Sequence, residues 1–278
     1  MNEDIPSIIS ALQCCVCGSS DKKRWFSTRR SLHPFDSPGN LTCMDCGARF
    51  PVENGYLNMQ VGPEEPVVPF QKLMQMKAPV AVYEGIWRPL GYFIASKRSF
   101  PKDLDRIANL IQRPNRVVLD LASGPGNVTR RLGRLMPDST IVGVDLSAVM
   151  LGRAVRLTRQ EGLKNIYYMR GSALSLPFRD ETFDAVSCCG ALQLFPQAIG
   201  EISRVLKPGG EFVCQTTIGP RKAPMFVRAA DRVLKFSWFY LDDLKDRLSS
   251  FNFNLISEER SYINYIFLAS KALAEGPS

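Results

Sequence analysis

Val117–Thr129, VVLDLASGPGNVT, decides the fold of this chain. An apolar strand, VVLDL, runs into a glycine-bearing turn, ASGPG, and then into a helix-like segment. Gly124 and Gly126 carry no Cβ, so the backbone there can bend sharply and lie close to a ligand. The helix that follows presents free N–H groups and its positive dipole end to a negative ligand group. A second apolar strand, Thr140–Val144, ends in Asp145, 21 residues after Gly124. In a βαβ unit the tip of the second strand lies beside the tip of the first, where a carboxylate can hold both hydroxyls of a ribose.

A glycine loop with an acidic residue at that distance points to a nucleoside cofactor; the competing reading is a plain turn that happens to hold two glycines. The spacing argues against a dinucleotide, because Thr129 stands where the G-x-G-x-x-G/A fingerprint needs a small residue. Asp120, at the end of the first strand, would repel a pyrophosphate but suits a cationic or zwitterionic cofactor such as S-adenosylmethionine. Asp120-x-Ala122-x-Gly124-x-Gly126 resembles motif I of the class I S-adenosylmethionine-dependent methyltransferases, with Ala122 where glycine is usual. Val142–Met150 resembles their next segment, Gly171–Val186 the two blocks after it, and Glu201–Gly210 the helix and turn before strand five. The resemblance implies cofactor contacts from Asp120, Ala122, Ser123, Gly124, Gly126, Asp145, Leu146, Met150, Ser172, Ala173 and Cys189. Ser172 replaces the Asp that in many relatives meets the adenine amino group.

The amino-terminal head is marked by two knuckles, Cys14-Cys-Val-Cys17-Gly and Cys43-Met-Asp-Cys46-Gly. Two such pairs form a closed tetrahedral thiolate site of the structural zinc kind, with Cys15 as an alternative ligand. A disulfide reading needs oxidising conditions that nothing else in the sequence supports. A closed site leaves no position for chemistry, so the metal's expected role is to hold together a head too small to bury its own core. Cys188, Cys189 and Cys214 sit in apolar strands and read as core. Phe50–Met59 resembles the end of the zinc head of the rRNA guanine-N1 methyltransferases. It also resembles the cysteine-bearing head of plastid and cyanobacterial methyltransferases of the ubiquinone/menaquinone type.

The expected fold is an α/β, Rossmann-like, seven-stranded methyltransferase sheet with a terminal antiparallel hairpin, preceded by a small zinc ribbon. Residues 1–62 form the head, 63–112 a linker and helical cover segment, and 113–278 the methyltransferase domain. Val61–Pro69 reads as a stiff linker, Gln71–Lys77 as a helix interrupted at Pro79, and Asp103–Gln112 as a helix with Leu104, Ile107, Ala108 and Ile111 on one face. Tyr83, Trp87, Tyr92 and Phe93 either line a substrate pocket or pack on the core. Ile166–Arg170, Ala185–Cys189 and Glu211–Thr217 alternate with helical segments, which implies a parallel sheet. Phe253–Glu259 and Tyr262–Ala269 are separated only by Arg260 and Ser261, which forces an antiparallel pair. Residues 219–240, rich in aromatics (Met225, Phe226, Phe236, Trp238, Phe239, Tyr240), occupy an insertion that in this family often shapes the acceptor pocket.

The composition, 278 residues with 45% hydrophobic and a net charge of +8, fits a globular protein. No run reaches the roughly 20 apolar residues of a membrane span, and MNEDIPSIISALQ lacks the basic start of a secretory signal. The expected location is the cytoplasm. Residues 1–62 hold six Lys/Arg against six Asp/Glu, so the excess charge lies beyond them. Residues 113–160 alone carry eight arginines against three aspartates. That face could attract RNA or another anion, or be a solvated helix surface.

The region beyond the head contains no histidine; His33, the only one, lies between the knuckles. It and Gln193, in the loop after strand four, are the only catalytic candidates, Gln193 for orienting an acceptor. The N/D-P-P-Y/F motif for gripping an exocyclic amine is also missing. The acceptor expected is one that loses a proton easily or offers a ring nitrogen. Three functions compete: C- or O-methylation of a small aromatic, quinone-like or polyketide-like metabolite; rRNA guanine-N1 methylation; and a non-catalytic cofactor-binding scaffold.

Overall fold

The computed structural model describes residues 7–20, 25–27, 38–60, 90, 92–93, 96–219 and 239–273. The expected linker at Val61–Pro69, the helix at Gln71–Lys77, His33, Tyr83, Trp87, Met225, Phe226, Phe236 and Trp238 lie outside them.

Seven strands build the central sheet: β5 (Val117–Leu121), β6 (Thr140–Asp145), β7 (Ile166–Arg170), β8 (Phe183–Cys189), β9 (Leu206–Thr217), β10 (Phe253–Ser261) and β11 (Asn264–Lys271). Their order is β7-β6-β5-β8-β9-β11-β10. The first five run parallel. β11 inserts antiparallel between β9 and β10. The central strands read as nearly unbroken apolar runs because both their faces are covered. Leu119 and Leu121 enter one core with Val142, Val144 and Phe212. Val118 enters the other with Ile141, Ala185 and Val213.

Helices fill the crossovers. After α1, a single turn at Ser7–Ser10, come α2 (Phe100–Leu110), α3 (Asn127–Leu135), α4 (Ala148–Gln160), α5 (Ala198–Val205) and α6 (Leu241–Ser250). α2 begins three residues before its apolar periodicity suggests. Ser99 is extended and Pro101 sits in the first turn, where its missing N–H costs nothing. The terminal hairpin turns two residues later than expected. Ser261 still pairs with Asn264, so Tyr262 and Ile263 make the turn, with Tyr262 left-handed at φ 54°. β9 starts at Leu206 rather than Glu211, and its register with β8 shifts between Phe183 and Ala185.

The head does more than precede the sheet. β1 (Trp25–Ser27), β2 (Gly39–Cys43), β3 (Arg49–Glu53) and β4 (Tyr56–Asn58) form an antiparallel meander. β4 then pairs in parallel with β7, Leu57 opposite Met169 and Asn58 opposite Arg170. The result is one eleven-stranded sheet. Pairing covers the carboxy-terminal end of β7, which would otherwise be exposed as an edge. The head also joins the core: Ile8, Leu12, Trp25, Leu41, Phe50 and Leu57 cluster with Val144, Met169, Phe178 and Phe183. None of the helices among the described residues is long and apolar enough to cross a membrane.

Candidate functional site

The site begins where β5 ends. Parallel pairing sets Asp120 between Gly143 on β6 and Ser187 on β8. Asp120 is 2% exposed. Its carboxylate accepts hydrogen bonds from the Thr129 hydroxyl (2.5 Å) and the Ser187 hydroxyl (2.7 Å). Burial pushes its pKa up from 3.8 to about 6, against the pull of those two bonds. A carboxyl whose folded pKa is raised favours the fold below about pH 4, and this contribution is lost as pH rises through 6. Asp120→Asn is therefore expected to be more favourable at pH 8 than at pH 4, by roughly 3 kcal/mol for a two-unit shift. Thermal melts of the cofactor-free variant across that range check it; a pH-independent effect would show that Asp120 ionises normally.

Ala122 (φ 55°), Gly124 (φ 55°) and Gly126 (φ 76°) are all left-handed. At Ala122 this strain costs about 1–2 kcal/mol. The two glycines serve different ends. A Cβ on Gly126 would lie 2.4 Å from the Tyr168 hydroxyl, and Tyr168 is buried and bonded to Thr158 (3.0 Å). A Cβ on Gly124 would meet nothing within 4 Å. Gly126→Ala should therefore lower the melting temperature by several degrees through overpacking. Gly124→Ala should cost only the backbone strain, about 1 kcal/mol, while blocking close approach of a ligand. Melts and cofactor titrations of both variants test this; equal loss of stability would erase the distinction.

Asp145, at the tip of β6, faces the loop. Its carboxylate accepts from the Gly124 N–H (2.8 Å) and the Ser147 N–H (2.8 Å). The Ser147 side chain in turn caps α4 by accepting from Met150 N–H. Ser123 Oγ is buried and has no hydrogen-bond partner among the described residues. The next wall comes from β7 and its loop. Arg170 Nε donates to Leu146 O (2.9 Å), and Gly171 N–H to Asp145 O (3.2 Å). Ser172 is buried, and its hydroxyl accepts from Leu174 N–H (3.0 Å). Ala173 is partly buried against the core. Cys189 ends β8 on the same face of the sheet as Ser187 and Asp120.

Beyond Cys189 lies a polar floor at the ends of β9 and β11. Gln215 pairs in register with Cys189, and its amide donates to Asn264 Oδ1 (2.6 Å). Asn264 donates to the Tyr92 hydroxyl (2.9 Å), which donates to Asp103 (2.7 Å). Tyr92 also packs edge-on against Phe100, so it belongs to a buried network. Burial, with Asp103 beside it, pushes the Tyr92 phenol far above its ordinary pKa, which keeps it neutral. Phe93 is exposed. Gln193 is buried, and its amide is spent on Thr216 (2.9 Å) and Gly190 (3.2 Å). It braces the loop after β8 onto β9. Phe239 is buried beside Ile218, and Tyr240 is exposed.

Sequence reasoning missed Thr129, Ser187 and Tyr168. Ser187 leaves a signal: a hydroxyl within the apolar run Ala185–Cys189, on the face that Asp120 shares. Thr129, a misfit to the dinucleotide pattern, tethers Asp120 through its hydroxyl.

The head brings its four knuckle cysteines together. The sulfurs of Cys14, Cys17, Cys43 and Cys46 lie within 4.8 Å of one another. Cys14 and Cys46 are 3.7 Å apart, Cys17 and Cys43 3.8 Å. Gly18 N–H bonds Cys14 O (2.8 Å) and Gly47 N–H bonds Cys43 O (2.9 Å), so the two turns repeat one geometry. Cys15 turns away and its thiol donates to Met59 O (3.1 Å), which removes it from the ligand set. Of the arginines in 113–160, Arg130 and Arg134 pair with Glu161, Arg131 with Asp105, and Arg113 and Arg116 with Glu211.

Comparison with known proteins agrees with this geometry. Residues 118–210 match the family described as methyltransferase domain. The demethylmenaquinone methyltransferase of Lactiplantibacillus plantarum is 41% identical over 111 residues, covering 38% of this chain and 47% of the relative. The ubiquinone/menaquinone biosynthesis C-methyltransferase of Legionella pneumophila (strain Paris) is 36% identical over 122 residues, covering 41% and 49%. The chain thus spans about half the length of these curated relatives. Among solved structures, an S-adenosylmethionine-dependent methyltransferase from Methanosarcina mazei superposes with a TM-score of 0.53 at 18% identity, covering 60% of this chain and 98% of that one. A geranyl diphosphate C-methyltransferase from Streptomyces coelicolor gives 0.56 at 14% identity, covering 62% and 76%. These likenesses show the class I methyltransferase fold.

Proposed function

We propose that this chain, whose residues 118–210 match the family described as methyltransferase domain, moves a methyl group from S-adenosylmethionine to a small quinone-like aromatic, at carbon or oxygen. The observation that carries the cofactor half is Asp145, held at the loop by Gly124 and Ser147 N–H groups. A carboxylate fixed at that strand tip stands where the hydroxyls of a ribose can donate to it. The open space over Gly124 fits a polar ligand lying on the turn. Ser172 and Ala173 would border the adenine, Leu146 and Met150 the nucleoside, and Ala122 and Cys189 the methionine end. Asp120, once ionised, would favour the cofactor's positive end through the loop it supports.

Bound there, S-adenosylmethionine supplies a methyl group already activated by a positive sulfur. What remains for the protein is orientation and exclusion of water. The floor formed by Gln215, Asn264 and Tyr92 is built of neutral groups. Such a site suits an acceptor that provides its own acidity, as a hydroquinone does. The acceptor class is drawn from the likeness to the quinone methyltransferases, which covers the cofactor-binding half.

Cys14, Cys17, Cys43 and Cys46 would hold one zinc ion. Zn–S bonds of about 2.3 Å in a tetrahedron place sulfurs roughly 3.8 Å apart, which matches the pairs at 3.7 and 3.8 Å. Four thiolates close the coordination shell, so this metal's role is structural. The ion pairs on α3 favour a solvated arginine face over an RNA-binding stripe.

A partition assay tests the reading. The protein and methyl-labelled S-adenosylmethionine are incubated with a cell lysate, and RNA, protein and solvent-extractable metabolites are separated. Label is expected in the organic phase. Label in RNA instead would replace the quinone-like acceptor with a nucleobase.

A further inference from the structure

The segment Arg170–Arg179 carries Ser172 and Ala173 and is held at both ends by the head. At its start, Met59 N–H donates to Arg170 O (2.8 Å), extending the pairing of β4 with β7. At its end, Gln13 N–H donates to Pro177 O and Arg179 N–H to Ala11 O, both 3.0 Å. Leu12 and Phe178 face each other across that rung and are fully buried. Both clamps adjoin the metal knuckles. Residues 11–13 lead directly into Cys14, and Gln13 Nε2 donates to Gly18 O (3.0 Å). Met59 O accepts the thiol of Cys15 (3.1 Å). From the first clamp, the Arg170 side chain reaches across to Leu146 O (2.9 Å), beside Asp145.

We infer that the zinc head is a clamp that preorganises the cofactor's adenine and ribose wall, with Arg170 as the positioning residue that passes the head's order to the Asp145–Leu146 turn. The inference rests on the methyl-transfer reading above. The physical reason is entropic. Ordering a loop costs backbone freedom, and a ligand that finds the loop already ordered does not meet that cost. Without the metal the four cysteines are neutral thiols, and no Zn–S bond then ties one knuckle to the other. Metal loss therefore frees both clamps together. Linkage makes the effect reciprocal: if zinc tightens the cofactor, the cofactor must tighten zinc by the same factor.

The test uses the full chain and S-adenosylhomocysteine, which binds without turnover. Metal content by mass spectrometry establishes one zinc per chain. Calorimetry should then show binding weakened about tenfold or more after chelation, equivalent to about 1.4 kcal/mol. Zinc release to a chromophoric chelator should slow severalfold when S-adenosylhomocysteine saturates the protein, because the clamps must open before zinc leaves. That second arm is read on the folded, metal-loaded protein, so it decides the matter even if stripped protein unfolds. Arg170→Met should keep its zinc, bind S-adenosylhomocysteine about fivefold more weakly, and lose most of the cofactor's effect on zinc release, a coupling that a merely structural arginine would not carry. A zinc release rate indifferent to S-adenosylhomocysteine, in a protein that binds both, would overturn the clamp and leave the methyl-transfer reading standing. Failure to bind S-adenosylhomocysteine at all would sink both, and absence of zinc would sink the clamp.

Discussion

Asp145→Ala is expected to weaken S-adenosylmethionine binding by at least tenfold. The carboxylate does two things at once. It accepts the Gly124 and Ser147 N–H groups at 2.8 Å each, and in the proposed complex it holds the ribose. Truncation leaves two backbone donors without that acceptor, at about 1–3 kcal/mol for each one that stays buried. It also removes the charged partner of two hydroxyls. The first loss falls on free and bound protein alike and lowers stability; the second, about 1.5–3 kcal/mol for hydrogen bonds to a charged group, corresponds to one to two powers of ten in affinity. Asp145→Asn should fall between, because its single carbonyl oxygen can serve only one of the two oxygen positions. Calorimetric titration measures both variants. An unchanged dissociation constant for the alanine variant would remove Asp145 from the cofactor site.

Replacing Cys43 and Cys46 together by serine should have the largest effect on stability. Structural zinc is worth roughly 10–16 kcal/mol in small domains, while whole proteins are stable by only about 5–15 kcal/mol. Cys43 is also buried against Leu41, Trp25 and Phe50 in the shared core. The double variant should bind no zinc and should lose amide-exchange protection over 39–59. Because β4 covers β7, protection should fall over 166–179 as well. β5, β8, β9 and β11 pair only among themselves and with β6 and β10, so they should stay protected. Hydrogen exchange read by mass spectrometry separates these regions. Wild-type protein that is folded throughout and free of metal would refute the metal reading outright.

Local sequence determined much of this protein. The strand, turn and helix at Val117–Thr129 and the carboxylate ending β6 were legible because strand runs, left-handed glycines and strand-end acids are properties of short segments. The same holds for the knuckles, whose cysteine spacing and trailing glycines encode a turn within five residues. The antiparallel end of the sheet was legible from connection length alone, although the turn moved to Tyr262–Ile263 because the ladder from β11 to β9 sets the register. The tertiary structure decided what depends on residues far apart in the chain. Asp120 finds Ser187, 67 positions away; Gln193 turns inward to Thr216; and Cys15 leaves the metal for Met59. Above all, β4 pairs with β7 and merges head and core into one sheet. Periodicity describes which face of an element is apolar. It does not say which other element will cover that face or edge, since that is settled by the packing and hydrogen bonding of the whole chain.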